Sequence, residues 1–352
     1  MRLAIATDAW APQVNGVVRT LTETISRLKA REHEVEVVAP DRFMTIPCPG
    51  YPEIRLALAP RFGVRKALGT FSPDIVHIST EGPIGWSARA WCIKHNVPFT
   101  TAFHTRFPEY VAARTRLSPD FIWPIMRTFH NGSRAVLTAT QSLRNELESR
   151  GIKPTQLWSR GIDHALFHPD QADHPSLKHL PKPILLSVGR VAVEKNLEAF
   201  LDADVPGTKV IVGDGPARAH LQARYPDAVF LGTRHGAELA SIYASADVFV
   251  FPSKTDTFGL VMLEALATGV PVAGYPVQGP LDIIGTEGRG PHGTLDRAIG
   301  CLKPDLAEAI IAALALDRAD AAHYGAQFCW EKCTNQFVDG ITKAGNSGAL
   351  AA

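Results

Sequence analysis

The chain alternates short apolar runs with segments whose apolar residues recur at helical spacing. Residues 2–7 form an apolar run typical of a strand, and the apolar positions in 17–29 follow the spacing of an amphipathic helix. In the rest of the first half, strands are predicted at 34–39, 73–78, 97–102 and 135–139 and helices at 86–94 and 142–150. Strands that alternate with helices in this way predict a parallel sheet with helices on both faces.

A second series of strands and helices follows a proline-rich polar segment, which predicts a linker at 171–182. Beyond it, strands are predicted at 183–188, 209–212, 229–231, 246–251 and 270–273 and helices at 196–201, 217–224, 237–244, 258–268, 305–314 and 321–341. The predicted fold class is therefore α/β, with Rossmann-like domains at 1–170 and 183–325 facing each other across a cleft, and a C-terminal helix and tail at 326–352. Open α/β sheets bind ligands at the carboxyl ends of their strands, so both domains should present loops to that cleft.

The composition limits the class of protein. With 352 residues, 45% of them hydrophobic and 20% charged, the chain is long enough for two cores and is typical of a soluble globular protein. No apolar run in it reaches the length of a membrane span. The five cysteines form no C-x-x-C pair, which favours a reducing, cytoplasmic location.

The net charge of +1 hides a difference between the two halves. Residues 1–180 hold 22 Lys and Arg against 16 Asp and Glu (+6), and 181–352 hold 14 against 19 (−5). The basic excess includes Arg61, Arg65, Lys66, Arg106, Arg114 and Arg116. Two interpretations stay open: a basic face that meets an anionic membrane or acceptor, and ordinary surface variation. The basic residues are not interleaved with aromatic ones, so nucleic acid is not expected, and no obligate protein partner is inferred.

The most informative segment runs from Ser253 to Val272 and places two acidic residues eight positions apart, Asp256 and Glu264. We expect Thr257 to be the N-cap of the following helix, which puts both acids on one helix face. Eight helical residues rise about 12 Å, close to the length of a nucleotide-diphosphate-sugar.

This geometry predicts a donor site along the helix. The diphosphate would meet the first backbone amides, where the helix dipole favours negative charge, and these amides belong to Phe258, Gly259 and Leu260. Glu264 would accept two hydrogen bonds from a ribose diol, and Asp256 would lie beside the sugar. The alternative is a plain amphipathic helix with an acidic first turn, although a buried mid-helix Glu is costly without a partner.

Several motifs together resemble those of the retaining glycosyltransferases of family 4, which have the two-domain GT-B fold. The resemblance covers nearly the whole chain and rests on Asp8–Val17, Phe103-His104-Thr105, Ser187–Asn196, Val212–Pro216 and the Asp256–Glu264 segment. It implies that the C-terminal helix crosses back to the first domain. The family pattern has Glu at both ends of the eight-residue spacing, whereas this chain has the shorter Asp256 at the first, so the sugar is not specified.

The resemblance also implies roles for individual residues. Arg190 and Lys195 would neutralise the donor diphosphate and the charge that grows on it during transfer. Gly16 would let the backbone approach the donor from the first domain, with Gly213 on the second. His104 would hydrogen-bond the donor sugar, with a purely structural role as the alternative. The loop at Gly232 and Thr233 would border the nucleobase.

The implied chemistry retains the anomeric configuration, because the acceptor hydroxyl attacks from the face that the diphosphate leaves. No enzymic nucleophile, metal or other cofactor is then required. Acceptor candidates lie on first-domain loops, at 106–110 and at Glu81, for which a turn or capping role is equally plausible.

Within the family, the motif variants are similar to those of bacterial glycosyl-diacylglycerol synthases and GDP-mannose-dependent α-mannosyltransferases. The leading hypothesis is transfer of a hexose or hexuronate, with a UDP-sugar favoured, to diacylglycerol or a related lipid by a peripheral enzyme on the inner face of the cytoplasmic membrane. The alternatives are a mannosyltransferase acting on a phosphoinositide or glycan, a nucleotide-sugar epimerase and a non-catalytic binder.

Overall fold

The computed structural model describes residues 1–13, 15–48, 51–108, 118–291, 293 and 295–346, with only the backbone described at 51–54 and 344–346. The chain divides into two compact units. The first comprises Met1–Gly161 and Trp330–Ala352, and the second comprises Ile162–Cys329. The division thus falls after Gly161, ahead of the 171–182 segment predicted as a linker.

The first unit is built on a six-stranded parallel sheet of order β2-β1-β5-β6-β7-β8. Its strands are β1 (Arg2–Ala6), β2 (Glu34–Val38), β5 (Ile75–Ile78), β6 (Phe99–Phe103), β7 (Val136–Thr138) and β8 (Thr155–Leu157), with a separate hairpin of β3 (Thr45–Cys48) and β4 (Tyr51–Ala57). Its helices are α1 (Gly16–Ala30), α2 (Arg61–Phe71), α3 (Pro83–His95), α4 (Trp123–His130), α5 (Gln141–Ser149) and α13 (Trp330–Asn346). The central strands are buried on both faces, as parallel sheets require.

The second unit has a parallel sheet of order β11-β10-β9-β12-β13-β14, which is the doubly wound Rossmann order. Its strands are β9 (Ile184–Val188), β10 (Thr208–Val212), β11 (Val229–Gly232), β12 (Val248–Phe251), β13 (Val272–Gly274) and β14 (Gly300–Leu302). Its helices are α6 (Leu197–Leu201), α7 (Arg218–Arg224), α8 (Gly236–Ser245), α9 (Leu260–Ala267), α10 (Gln278–Ile284), α11 (Leu306–Ala313) and α12 (Arg318–Gly325). Two parallel-sheet Rossmann-like units confirm the predicted fold class.

The predicted single helix at 321–341 is wrong, because the chain forms two helices, α12 and α13, separated by 326–329. The Phe328 carbonyl accepts from the backbone amide of Ile162 at 3.0 Å and from His164 Nε2 at 2.8 Å, and Cys329 makes a parallel bridge with Ile162. This backbone pairing replaces helical hydrogen bonds where the chain leaves the second unit.

The C-terminal helix α13 belongs to the first unit, where it packs against α1 and β6. The predicted return of the C-terminal helix to the first domain is therefore confirmed. Trp330 and Phe337 on this helix are fully or almost fully buried, so its apolar face completes the core of that unit. Within the described part of the chain, no helix combines the length and apolar character that crossing a bilayer requires.

Candidate active site

In the second unit, two strand ends meet where the strand order reverses. β9 is the first strand of this unit and lies between β10 and β12, so the loops that follow β9 and β12 diverge to opposite sides of the sheet. The segment after β9 carries Arg190 and Lys195, and the segment after β12 carries Asp256. Three of the residues selected from the sequence therefore occupy the ligand-binding edge of one sheet.

Lys195 and Asp256 form an ion pair across this edge. The Lys195 ammonium donates to both carboxylate oxygens, at 2.7 and 2.9 Å, and about a quarter of each side chain is exposed (27% and 26%). Asn196 adopts a left-handed conformation with φ of 53° directly after Lys195, and its side-chain amide donates to the Pro252 carbonyl at 3.1 Å. This turn holds the two loops together.

Arg190 forms a second ion pair, with Glu194 four residues later. Burial by itself would raise the pKa of Glu194, but hydrogen bonds from its backbone and from Arg190, together with the positive charges of Arg190 and Lys195, hold that pKa below its usual value. Glu194 is thus an ionised member of the site that the sequence analysis did not select.

The helix α9 starts later than the sequence predicts. It begins at Leu260 with Gly259 at the N-cap, so the expected cap at Thr257 and the helical path from Asp256 are wrong. Gly259 has φ of 96°, and a Cβ there would lie 2.7 Å from Met262 Cε. The tight turn at Gly259 is what delays the helix, and its first amides are those of Leu260 and the two residues after it, not Phe258.

Glu264 lies in the middle of α9 and is 2% exposed. The Tyr243 hydroxyl on α8 donates to Glu264 Oε2 at 2.8 Å, in a buried setting. A buried carboxylate is tolerated when a hydrogen-bond donor faces it, and here that donor comes from a neighbouring helix. Tyr243 was missed because no local pattern links residues 21 positions apart.

Two predicted glycines lie where neighbouring loops cross. Gly213 has φ of 139°, and a Cβ there would come within 1.8 Å of the Gly189 carbonyl oxygen, so only glycine fits. The Gly213 amide donates to the Gly232 carbonyl at 2.9 Å, which joins the ends of β10 and β11. Thr233 follows and is exposed.

The first unit carries the other predicted residues on its own strand ends and helix starts. Gly16 is the first residue of α1, and the Asn15 side chain caps this helix by accepting from the amides of Val17 and Val18, at 3.0 Å each. Glu81 follows β5, and its carboxylate lies 3.3 Å from Nε2 of the fully buried His130. The structure thus places the Glu81 carboxylate next to an imidazole inside this unit.

His104 follows β6 and is 9% exposed. Burial, the nearby charge of Arg160 and His77 together hold the pKa of His104 well below its ordinary value, so the ring is neutral near pH 7. Arg160 Nη2 lies 3.0 Å from His104 Nδ1. Arg160, like Glu194 and Tyr243, was not predicted from the sequence.

Some predicted residues lie outside the described part of the chain. Arg114 and Arg116 do so, as do Glu109 and Tyr110 of the predicted acceptor loop. Within the described ranges, no group of three or more His, Cys, Asp or Glu side chains is arranged to hold a metal ion.

The two units together define the class of protein. Each has a Rossmann-like parallel sheet, and the second places cationic side chains and a helix N-terminus at its switch point, with a buried acid on that helix. This is the arrangement of an enzyme domain that binds a nucleotide through its phosphates.

Comparison with known proteins narrows the class. The model of Glycosyltransferase Family 4 matches residues 14–166, and that of Glycosyl transferases group 1 matches 182–315. A GDP-mannose-dependent alpha-mannosyltransferase of Mycobacterium tuberculosis is 32% identical over 307 residues, covering 81% of either chain. The chain belongs to the family 4 glycosyltransferases and is a hexosyltransferase that uses nucleotide sugars.

Two further proteins are similar to this chain. An alpha-monoglucosyldiacylglycerol synthase of Streptococcus pneumoniae is 27% identical and covers 78% of this chain and 71% of its own. The solved structure of Anabaena HepE in complex with UDP-glucose has a TM-score of 0.70 at 16% identity, covering 97% and 99% of the two chains. The latter likeness supports the fold, which is GT-B.

Proposed function

We propose that this protein is a retaining, metal-independent hexosyltransferase that moves a sugar from a nucleotide-diphosphate donor to a lipid acceptor at an anionic membrane surface. The observation that carries the proposal is the cluster at the switch point of the second sheet. There Arg190, Lys195 and the N-terminus of α9 supply positive potential next to the buried Glu264. A nucleoside diphosphate has the charge and the diol that this set of groups complements.

Each member of the cluster has a role that follows from its chemistry. Arg190 and Lys195 take the diphosphate, and their fixed charges stabilise the leaving group as it becomes more negative. The main-chain amides at the start of α9 add partial positive charge at the same place. Because these groups already provide the positive charge that a metal ion supplies in other transferases, transfer proceeds without one.

Retention follows from the same set of groups. The acceptor hydroxyl attacks on the face from which the diphosphate departs, and a leaving phosphate oxygen takes its proton. The C1–O bond to the diphosphate breaks as the C1–O bond to the acceptor forms, and no carboxylate forms an intermediate with the sugar. Asp256 beside Lys195 then contacts the donor sugar.

A surface of the first unit supports the lipid acceptor. On α2, an exposed face presents Arg61, Phe62, Arg65 and Lys66 without an acidic residue in the helix, and Phe62 is 80% exposed. Met44, just before the β3–β4 hairpin, is also 80% exposed. Cations flanking exposed apolar side chains suit an anionic bilayer, where apolar groups insert and cations meet lipid phosphates.

The relatives give a second candidate for the donor and support for the acceptor. A UDP-sugar is the favoured donor, and GDP-mannose is the alternative because the mycobacterial relative is named for GDP-mannose. The pneumococcal relative is named for a glucosyl-diacylglycerol product, which supports a lipid acceptor.

The experiment that tests the proposal uses the full chain and a defined set of donors. The protein is incubated with UDP-glucose, UDP-glucuronate, UDP-galactose or GDP-mannose and a total lipid extract, with EDTA present, and products are identified by mass and by anomeric configuration. An α-linked glycolipid formed from an α-linked donor supports the proposal. An inverted product, donor turnover without any acceptor, or transfer that occurs only when Mg²⁺ replaces EDTA or when a soluble glycan replaces the lipid extract overturns the proposal in part or whole.

The membrane surface is tested by vesicle sedimentation. Vesicles of phosphatidylglycerol and phosphatidylcholine should pellet the wild type at low salt, and Arg65→Glu with Lys66→Glu should remain in the supernatant. The matched control is Lys29→Glu with Lys94→Glu, which changes the same charge at exposed positions on other helices of that unit. Equal loss in both double variants would show that net charge alone, and not the α2 face, determines binding.

A further inference from the structure

A buried arginine after β8 is directed at the candidate site of the first unit. Arg160 is 7% exposed, and its Nη1 donates to the carbonyls of Trp158 at 2.6 Å and Ser159 at 3.0 Å. Its Nη2 lies 3.0 Å from His104 Nδ1. A charged side chain is buried at a cost that only specific partners offset, and a structural role alone does not require an imidazole as one of them.

The C-terminal helix fixes the segment that carries Arg160. Gln336 Oε1 on α13 accepts from the Ser159 amide at 2.7 Å, and Cys333 Sγ donates to the Ser159 carbonyl at 3.1 Å. The same Ser159 carbonyl accepts from Arg160. Residues of the returning helix therefore set the position of the guanidinium that faces His104.

The direction of the hydrogen bond between Arg160 and His104 determines the tautomer of the ring. A guanidinium has N–H donors and no acceptor, so Nδ1 of His104 must accept. An accepting Nδ1 carries no hydrogen, and the neutral ring then holds its hydrogen on Nε2. A ring in this state donates from Nε2 and has no basic nitrogen left for a substrate proton.

We infer that Arg160 is a positioning residue that keeps His104 neutral with its hydrogen on Nε2, so that His104 acts as a hydrogen-bond donor to a substrate oxygen and not as a base. This inference rests on the proposed function for the identity of the substrate. Its structural half, the tautomer fixed by Arg160, holds or fails without any substrate.

Two groups act on the charge of His104, and a third acts on Arg160. Arg160 contributes a positive charge, and His77 on β5 faces the ring from the sheet. Cys333 on α13 faces Arg160 itself. Burial lowers the pKa of Arg160 to about 10, so its guanidinium remains charged and continues to donate through the physiological range.

The decisive measurement is long-range proton–nitrogen NMR of the full chain labelled with ¹⁵N-histidine, with His104 assigned by His104→Gln. We expect Nδ1 without hydrogen and Nε2 with hydrogen, unchanged between pH 5.5 and 8. A hydrogen on Nδ1, or a titration of His104 within that range, would overturn the inference whether or not the protein proves to be a glycosyltransferase.

Variants of Arg160 test the link to turnover. Arg160→Met should lower kcat by roughly 10- to 100-fold, the effect of one hydrogen bond to a charged group, with a smaller change in the donor KM. Arg160→Met should also allow the hydrogen of the His104 ring to move to Nδ1. Arg160→Lys keeps a cationic donor and should restore part of kcat and part of the wild-type tautomer. Arg89→Met is the matched control, because Arg89 also donates to carbonyls within this unit, those of Thr128 and Phe129.

The variants are compared only after their thermal unfolding confirms that they fold. If Arg160→Met does not fold, the wild-type tautomer and the Arg160→Lys variant still decide the inference. A folded Arg160→Met protein with wild-type tautomer and wild-type kcat overturns it, as does equal loss of kcat in Arg89→Met.

Discussion

The sharpest prediction concerns the buried carboxylate of Glu264. Replacing Glu264 by Ala removes the acceptor for the Tyr243 hydroxyl, whose hydrogen bond is 2.8 Å long, and the proposed acceptor for the ribose diol. A hydrogen bond to a charged group contributes about 1.5–3 kcal/mol, so two bonds to the diol amount to about 3 kcal/mol or more. Donor affinity should therefore fall by roughly 150-fold or more, since each 1.4 kcal/mol is tenfold.

Two further variants separate the charge from the shape of the site. Glu264→Gln keeps the volume and one acceptor oxygen but loses the charge, so we expect a loss of about tenfold in donor affinity. Tyr243→Phe keeps the carboxylate and removes only the hydroxyl that orients it, so the loss should be smaller still. Glu198→Ala, at a half-exposed acid on α6 of the same unit, is the control and should bind donor as the wild type does.

The assay is calorimetric titration with UDP and GDP, alongside thermal unfolding of each variant. Loss of the Tyr243 hydrogen bond should lower the stability of Glu264→Ala by about 1–3 kcal/mol, so a lower but cooperative transition is expected. An unchanged donor titration for folded Glu264→Ala would refute the reasoning. A loss in Tyr243→Phe as large as that in Glu264→Ala would show that the pair supports the helix packing and does not contact the ribose.

Three other predictions follow from single contacts. Lys195→Ala should lower kcat by about 10²–10³ and raise the donor KM far less, because charge on the leaving diphosphate grows in the transition state; steady-state kinetics that show only a raised KM would contradict this. Gly259→Ala forces a φ of 96° on an L-residue and a Cβ 2.7 Å from Met262 Cε, so it should lower the free energy of unfolding by at least about 1–2 kcal/mol, as measured by urea denaturation. Burial lowers the pKa of His77 to about 3, so below pH 6.5 His77 is protonated in the unfolded chain and neutral in the folded chain. The free energy of unfolding therefore falls as the pH decreases from 6.5, by at most about 1.4 kcal/mol per pH unit. His77→Gln should flatten that dependence in denaturation curves from pH 6.5 to 4, and the exposed His95→Gln should not.

The elements that could be predicted are those that a short segment specifies by itself. Buried parallel strands are continuous apolar runs, so every strand of the two sheets was predicted except the last strand of each, β8 and β14. The hairpin β3–β4 was not predicted, because prolines at 47 and 52 interrupt the alternation that marks strands. The helix α2 was missed because Gly63 and Gly69 lower its intrinsic helix propensity, and packing of its buried face overrides that penalty.

The residues of the candidate site likewise divide into those that the sequence predicts and those that it does not. Arg190, Lys195, Asp256 and Glu264 stand in recognisable motifs, and topology alone places the first three on one sheet edge. The partners Tyr243 and Arg160 lie in no motif, and Glu194 lies in the Ser187–Asn196 motif without a predicted role. Each of the three is defined by a contact that exists only after folding. The start of α9 depends on the backbone conformation of one glycine, which propensity does not report.

The ion pairs at the switch point of the second unit's sheet explain how a cationic site can be stable before its ligand binds. The Lys195–Asp256 and Arg190–Glu194 pairs keep the two cations ordered within these loops. Because the side chains of Lys195 and Asp256 are each about a quarter exposed (27% and 26%), their net attraction is small, on the order of 0–1 kcal/mol. A diphosphate carries more negative charge than one carboxylate and accepts hydrogen bonds in more directions. It can therefore replace Asp256 as the partner of the Lys195 ammonium at little cost in free energy. The exchange turns Asp256 from a partner of Lys195 into an acceptor for the sugar hydroxyls, which couples donor binding to the alignment of the sugar.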